Sequence, residues 1–272
     1  NTTGAYNIGI GYSALNSNTT VSNNIAIGNR ASQLNQTGNN NVSIGLCAGY
    51  TGVYDSGNVN IGSCAGRNLT GDRQVSIGFR AGADGGYSPY AVRIGAFAGE
   101  NAEGAYNIAI GFDAGGGYSG SATGVSNVFV GDQVARTYCA SSYNIGLGRC
   151  ALRFLQSGCC NVALGVKAGI RITTGLNNTI VGTEGAFLTT TGSNNTFLGR
   201  YAGRNNTTGS FNVVIGAGVN LPTATGNNRL AIGAGNTTWI EGDSDYNVGI
   251  GTDTPTDPAN PSNVSILNVG VV

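Results

Sequence analysis

Along most of this chain an apolar residue, any residue, a second apolar residue and a glycine recur as a four-residue phrase. Ile8-Gly9-Ile10-Gly11, Ile25-Ala26-Ile27-Gly28 and Val162-Ala163-Leu164-Gly165 are three of its fifteen occurrences, in two of which Thr179 or Thr196 takes the first place. The closing glycines are Gly11, Gly28, Gly45, Gly62, Gly78, Gly95, Gly111, Gly131, Gly148, Gly165, Gly182, Gly199, Gly216, Gly233 and Gly251, spaced 17, 17, 17, 16, 17, 16 and 20 residues apart, then six times 17 and finally 18. A period held almost from end to end belongs to a solenoid, in which each repeat buries its apolar face only against its neighbours.

Within one repeat the period-2 alternation bounded by Gly and Asn predicts a short strand. Its two apolar side chains, such as Ile25 and Ile27, Val42 and Ile44, or Val162 and Leu164, are expected to point into the coil. The residue between them is then expected to point outward. It is Gly, Ala or Ser in nine repeats (Gly9, Ala26, Ser43, Ser76, Ala109, Gly146, Ala163, Ala231 and Gly249), which suggests that another surface approaches closely there. Four before the glycine stands Asn in twelve repeats, the exceptions being Gln74, Ala91 and Arg229. Asn tolerates left-handed backbone and bonds its own neighbourhood, so this column predicts a corner with a stacked amide ladder. Three after the glycine is Ala in ten repeats, and a polar turn such as Thr190-Thr191-Gly192-Ser193-Asn194 follows. The sequence thus predicts an all-β protein, a parallel β-solenoid or β-roll of about fifteen 17-residue coils over residues 1–251. At strand spacing this is a rod about 70 Å long. Residues 252–272 read as a separate cap or neck: Pro255, Pro258 and Pro261 remove backbone donors, and Val264, Ile266, Val269 and Val271 supply a last apolar strand.

Composition removes several classes of function. Thirteen basic residues balance thirteen acidic ones without a basic run, so no nucleic-acid footprint or polybasic membrane patch is visible. Histidine is absent, which excludes the commonest general base and the usual nucleophilic triads. No apolar stretch approaches the ~18 residues of a membrane span, and no signal peptide is evident. The chain opens in mid-repeat at Asn1-Thr2-Thr3-Gly4 without Met, as expected of a fragment.

The unit running from Asn41 to Gly49, from Asn58 to Gly66 and from Asn161 to Gly169 resembles the head repeats of trimeric autotransporter adhesins of the YadA type. The stretch Asn194 to Gly209 is more similar still to repeats of bacteriophage tail-fibre proteins, and Asn247-Val248-Gly249-Ile250-Gly251-Thr252 with Pro255 resembles the segment that ends such fibre repeats. The first resemblance implies a left-handed parallel β-roll, three chains about a common axis and a role in adhesion. The second implies a virion tail fibre, a trimeric rod that presents a host-binding tip and contacts other fibre or virion proteins. The expectation is therefore a non-enzymatic homotrimeric fibre segment. The alternatives are a bacterial surface adhesin head and an extracellular-filament or ice-binding solenoid, the latter disfavoured because no regular Thr column lies on the strands. A polysaccharide depolymerase would need paired carboxylates at a cleft, and the acids are too dispersed to nominate a pair.

Few residues stand out as chemistry, and no cofactor or metal is predicted. Cys47 and Cys64 both stand two after an anchor glycine on adjacent coils, within disulfide range of one another, and free thiols are the other reading. Cys139, Cys159 and Cys160 fall in turns. Glu241, Asp243 and Asp245 with Asp253 and Asp257 form an acidic end without the order of a calcium loop. Function should gather where the period breaks, around the long repeat between Gly111 and Gly131. Tyr87, Tyr90, Tyr118, Phe129 and Tyr138 are the candidate contacts there for a host-surface glycan or protein receptor, with a tolerated surface loop as the alternative.

Overall fold

The computed structural model describes residues 3–51, 55–117, 122–245 and 247–251, together with the strand Leu267–Val269. Its described residues form strands and turns with no helix, hence none long and apolar enough to cross a membrane. The fold is a parallel β-solenoid of about thirteen turns. It divides into two compact units, Asn1–Tyr143 and Asn144–Val272.

In the first unit eight three-residue strands, from Ile8–Ile10 to Val128–Val130, pair in parallel and in register, Ile8 on Ile25, Ile25 on Val42, and so on to Ile108 on Val128. In the second, Ile145–Leu147, Val162–Leu164, Thr179–Val181, Thr196–Leu198, Val213–Ile215 and Leu230–Ala234 do the same. The winding then stops. Leu230–Ala234 turns through Gly235 and Asn236 into the antiparallel strand Thr237–Gly242, which pairs antiparallel with Val248–Ile250, and Leu267–Val269 runs parallel to that last strand. The expected fifteenth coil is thus a hairpin. A Gly-Asn pair between strand-forming residues, here Gly235-Asn236, is a two-residue turn. Apart from Leu267–Val269, the proposed cap lies outside the described residues.

The corners explain the glycine period. At most anchor glycines φ is near +130°, and a Cβ on Gly45 would lie 2.5 Å from the carbonyl oxygen of Gly62, directly beneath it. No side chain fits at that spacing. Three other corner positions use left-handed backbone without requiring Gly: five before the anchor (Asn40, Tyr90, Asn177), two after it (Cys47, Phe97, Lys167) and four after it (Leu15, Ser32, Leu152). The column of Asn is the predicted ladder, but the left-handed residue is its predecessor. Each Asn holds the strand start: Asn41 N–H donates to Asn24 Oδ1 (2.9 Å) and Asn58 N–H to Asn41 Oδ1 (2.8 Å), while Asn41 Nδ2 reaches the Asp55 carbonyl (2.9 Å). The same pattern runs from Asn144 to Arg229. Each side chain satisfies buried backbone groups of its neighbours, so the ladder replaces hydrogen bonds the tight corner cannot make internally.

The alternation is as expected but its direction is reversed. The middle residue of each coil strand after the first points into the coil: Ala26, Ser76, Ala163, Ile180, Phe197, Val214 and Ala231 are fully buried, with the corner alanines such as Ala48, Ala65 and Ala168 against them. The larger flanking residues point out and remain half-exposed or exposed, Ile10 at 58% and Leu147 at 38%. The interior is too thin for two β-branched columns, because the corner glycine four after the anchor presses on the middle position. A Cβ on Gly203 would meet the Phe197 ring at 2.4 Å, and one on Gly66 would meet the Asn60 amide. The middle residues therefore line the lumen, and the two flanking columns, Ile, Val or Leu but for Thr179 and Thr196, form an apolar stripe on the outside of each unit.

Candidate functional site

The longest repeat does carry a groove. Phe97, Glu100 and Asn101 from one coil and Phe112, Asp113, Gly116 and Gly117 from the next, with Arg136, enclose about 310 Å3. These residues belong to the segment that follows the glycine corner, where turns stack with one coil's side chains over another's. Phe79, Phe97 and Phe112 form an aromatic ladder, with edge contacts at 5.2 and 5.9 Å between ring centroids, and Phe79 and Phe112 each half in solvent. Both carboxylates of the groove are already engaged. Arg136 Nε pairs with Asp113 (2.5 Å), and Arg80 Nε donates to Glu100 (2.6 Å). The inserted loop closes one side through Gly117 N–H to the Glu100 carbonyl (2.9 Å).

An arginine on each acid fixes the carboxylate by a charge-assisted hydrogen bond and leaves it as an acceptor. The groove thus offers aromatic surface bordered by charged groups and an amide.

The five predicted contacts are not brought together here. Tyr87 (67% exposed) and Tyr90 (42%) lie on the surface, but Tyr90 belongs to the corner before the strand, where it stacks flat on Tyr106 at 5.1 Å and takes a hydrogen bond from Arg73 (2.8 Å). Phe129 and Tyr138 are buried, ring against ring at 5.4 Å, and cannot meet a receptor. Phe129 is the middle residue of its strand, so the reversed face carries it into the lumen. Tyr138 follows it in beside Arg93, which is itself a middle residue. Tyr118 lies outside the described residues. Phe97, Phe112 and Arg136 escaped the sequence reading, although Phe79, Phe97 and Phe112 stand one or two after successive anchors, a column the period could have shown.

The other candidates resolve simply. Cys47 and Cys64 are free thiols. Both have the same left-handed backbone (φ 52° and 57°), so in-register stacking sets their Cα–Cβ bonds parallel instead of converging as a disulfide needs. Among the described residues no group of three metal-ligating side chains occurs. Asp243 spends its carboxylate on the Asp245 and Asn247 N–H groups and the Asn247 amide, and Glu241 is buried in the terminal sheet. Asp253 and Asp257 lie outside the described residues.

The fold defines the class, a parallel β-solenoid with Asn-laddered corners. Comparison with family models, curated proteins and solved structures finds no match.

Proposed function

We propose that this chain is a segment of a homotrimeric, non-enzymatic attachment fibre, of the phage tail-fibre kind, whose coils form a stiff shaft that carries or contributes a host-binding surface. The observation that carries this reading is the external apolar stripe. In each unit two outward columns run strand after strand on a parallel sheet without a charged side chain, Ile, Val or Leu at every position but Thr179 and Thr196. A contiguous apolar face of this kind marks an interaction surface. Covering it contributes about 1 kcal/mol per half-exposed aliphatic side chain. A second and third copy of the chain presents the same period and so the same apolar columns in matching register. The left-handed winding implied by the repeat resemblance belongs to the same reading. Other fibre or virion proteins are the partners at the ends, and the groove beside the long repeat is the candidate receptor contact.

Antibodies against this segment, used to label source particles for electron microscopy, test the assignment. Label along a tail fibre is the expected result. Label on a bacterial envelope would assign the chain to a surface adhesin instead, and label on neither would overturn an attachment role.

A further inference from the structure

The chain is neutral overall, but its charge is segregated. Between Gln133 and Ile240 stand eight basic residues and one acid, Glu184. Stacking gathers four of these cations on one side of three successive coils in the second unit. Lys167 and Arg171 follow anchor Gly165, and Arg200 and Arg204 follow anchor Gly199, all past the glycine corner and so off the apolar stripe. The three arginines are exposed and Lys167 is half-exposed. Glu184, in the coil between, faces both Lys167 (3.5 Å) and Arg204 (3.2 Å), one carboxylate for four positive charges.

Aromatic rings hold this array in place. The Arg171 guanidinium lies 5.3 Å from the Phe187 centroid and Arg204 lies 5.2 Å from the same ring. Arg204 is also 5.2 Å from Tyr201, and Arg200 is 4.2 Å from it with a 2.8 Å hydrogen bond to its hydroxyl. A groove of about 250 Å3 runs between Phe187, Leu188, Arg204 and Asn205. Guanidiniums ordered on rings before binding lose less freedom on meeting a ligand, and their planar forks match carboxylates and sulfates.

We propose that this strip binds a linear polyanionic glycan, an acidic polysaccharide bearing carboxylate or sulfate groups. Cations recurring on alternate coils, about 10 Å apart along the stack, complement anions recurring along a polymer. Single-stranded nucleic acid fits less well, because it needs bare aromatic faces for its bases and each ring here already carries two guanidiniums. The inference deepens the attachment reading above and rests on it, naming a ligand class at a site separate from the groove beside the long repeat.

The full chain is titrated with fluorescent polygalacturonate (carboxylate) and dextran sulfate (sulfate), with neutral dextran and oligo-dT as comparison probes, at about 50 and 300 mM salt. The expected result is binding to at least one of the acidic glycans that weakens steeply with salt, with no binding to dextran. Arg171→Gln with Arg204→Gln should weaken it about tenfold while melting temperature and sedimentation stay unchanged, and Lys167→Gln alone should weaken it a few-fold. Unchanged affinity in these variants, binding to neutral dextran, or oligo-dT bound as tightly as either glycan would overturn the proposal. A trimer that ignores acidic glycans defeats this inference alone, whereas a monomer that binds them defeats only the assembly.

Discussion

Two stretches of lumen show what the repeat fixes and what it leaves open. In the first unit the inward column reads Ser43, Asn60, Ser76 and Arg93, and in the second it reads Ala163, Ile180, Phe197 and Val214, yet the strands around both pair in the same register. The apolar stretch is filled by shape. Phe197 is accommodated by Gly203, and Ile180 packs with Leu152 and Ile172 around Gly169. The polar stretch is held by hydrogen bonds instead. Ser32 Oγ bonds Ser43 Oγ at 2.7 Å, a void of about 20 Å3 lined by Ser32, Ser43, Asp55, Asn60 and Gln74 is large enough for one water, and Arg93 Nη1 donates to Gln74 Oε1 at 2.9 Å. Arg93 is the extreme case, 1% exposed with no ion-pair partner among the described residues. Backbone pairing and the Asn ladder hold the coil, and the lumen needs only to be filled and satisfied.

That difference predicts unequal responses to substitution. The largest effect belongs to Phe197→Asp, which strands a charge among Ile180, Val214 and the corner backbone and should cost about 5 kcal/mol or prevent folding, read by denaturant unfolding. In the polar stretch, Arg93→Met should stabilise the fold by about 1–2 kcal/mol, because it removes a buried charge that has one neutral partner, and a rise in melting temperature checks it. Ser43→Ala is smaller again. It leaves Ser32 next to a water-sized void and should cost about 1 kcal/mol by the same measurement. A loss as large as that of Phe197→Asp would mean the two lumens are equally constrained.

A pH dependence probes the same polar lumen. Burial pushes Arg93 down to about 10 and Tyr138 up to about 12. Between about pH 10 and 12 the folded state releases the arginine proton more readily than the unfolded chain, so stability rises with pH. Over the same window it keeps the tyrosine proton that the unfolded chain loses, so stability falls. The two oppose each other in the native protein. Tyr138→Phe removes the falling contribution, so its stability should rise relative to the native chain between pH 10 and 12, measured as the difference in unfolding midpoints.

Much of this fold was legible because the period is a backbone property. Anchor glycines with φ near +130°, buried corner alanines, the Asn amides and the parallel register all follow from the 17-residue spacing. What misled was the rule that larger apolar residues go inside. It holds for a closed chain with room for a core, and here the coil admits one inward side chain per strand, so the two flanking residues are left outside whether the middle one is Ala163 or Phe197. The same inversion moved Phe129 from candidate receptor contact to lumen. The groove was half legible: the long repeat marked its position, but Phe97, Phe112 and Arg136 come together only through stacking of unequal repeats of 16 and 20 residues. The charged strip was hidden by a net charge of zero.

The central claim is that the outward Ile, Val and Leu columns are interior to an assembly. Sedimentation equilibrium of the native chain tests it directly, since one chain weighs 27.4 kDa. The account predicts a particle of three chains at all accessible concentrations, with Ile44→Lys together with Ile77→Lys shifting it to single chains. A native particle of 27.4 kDa that unfolds cooperatively would contradict it.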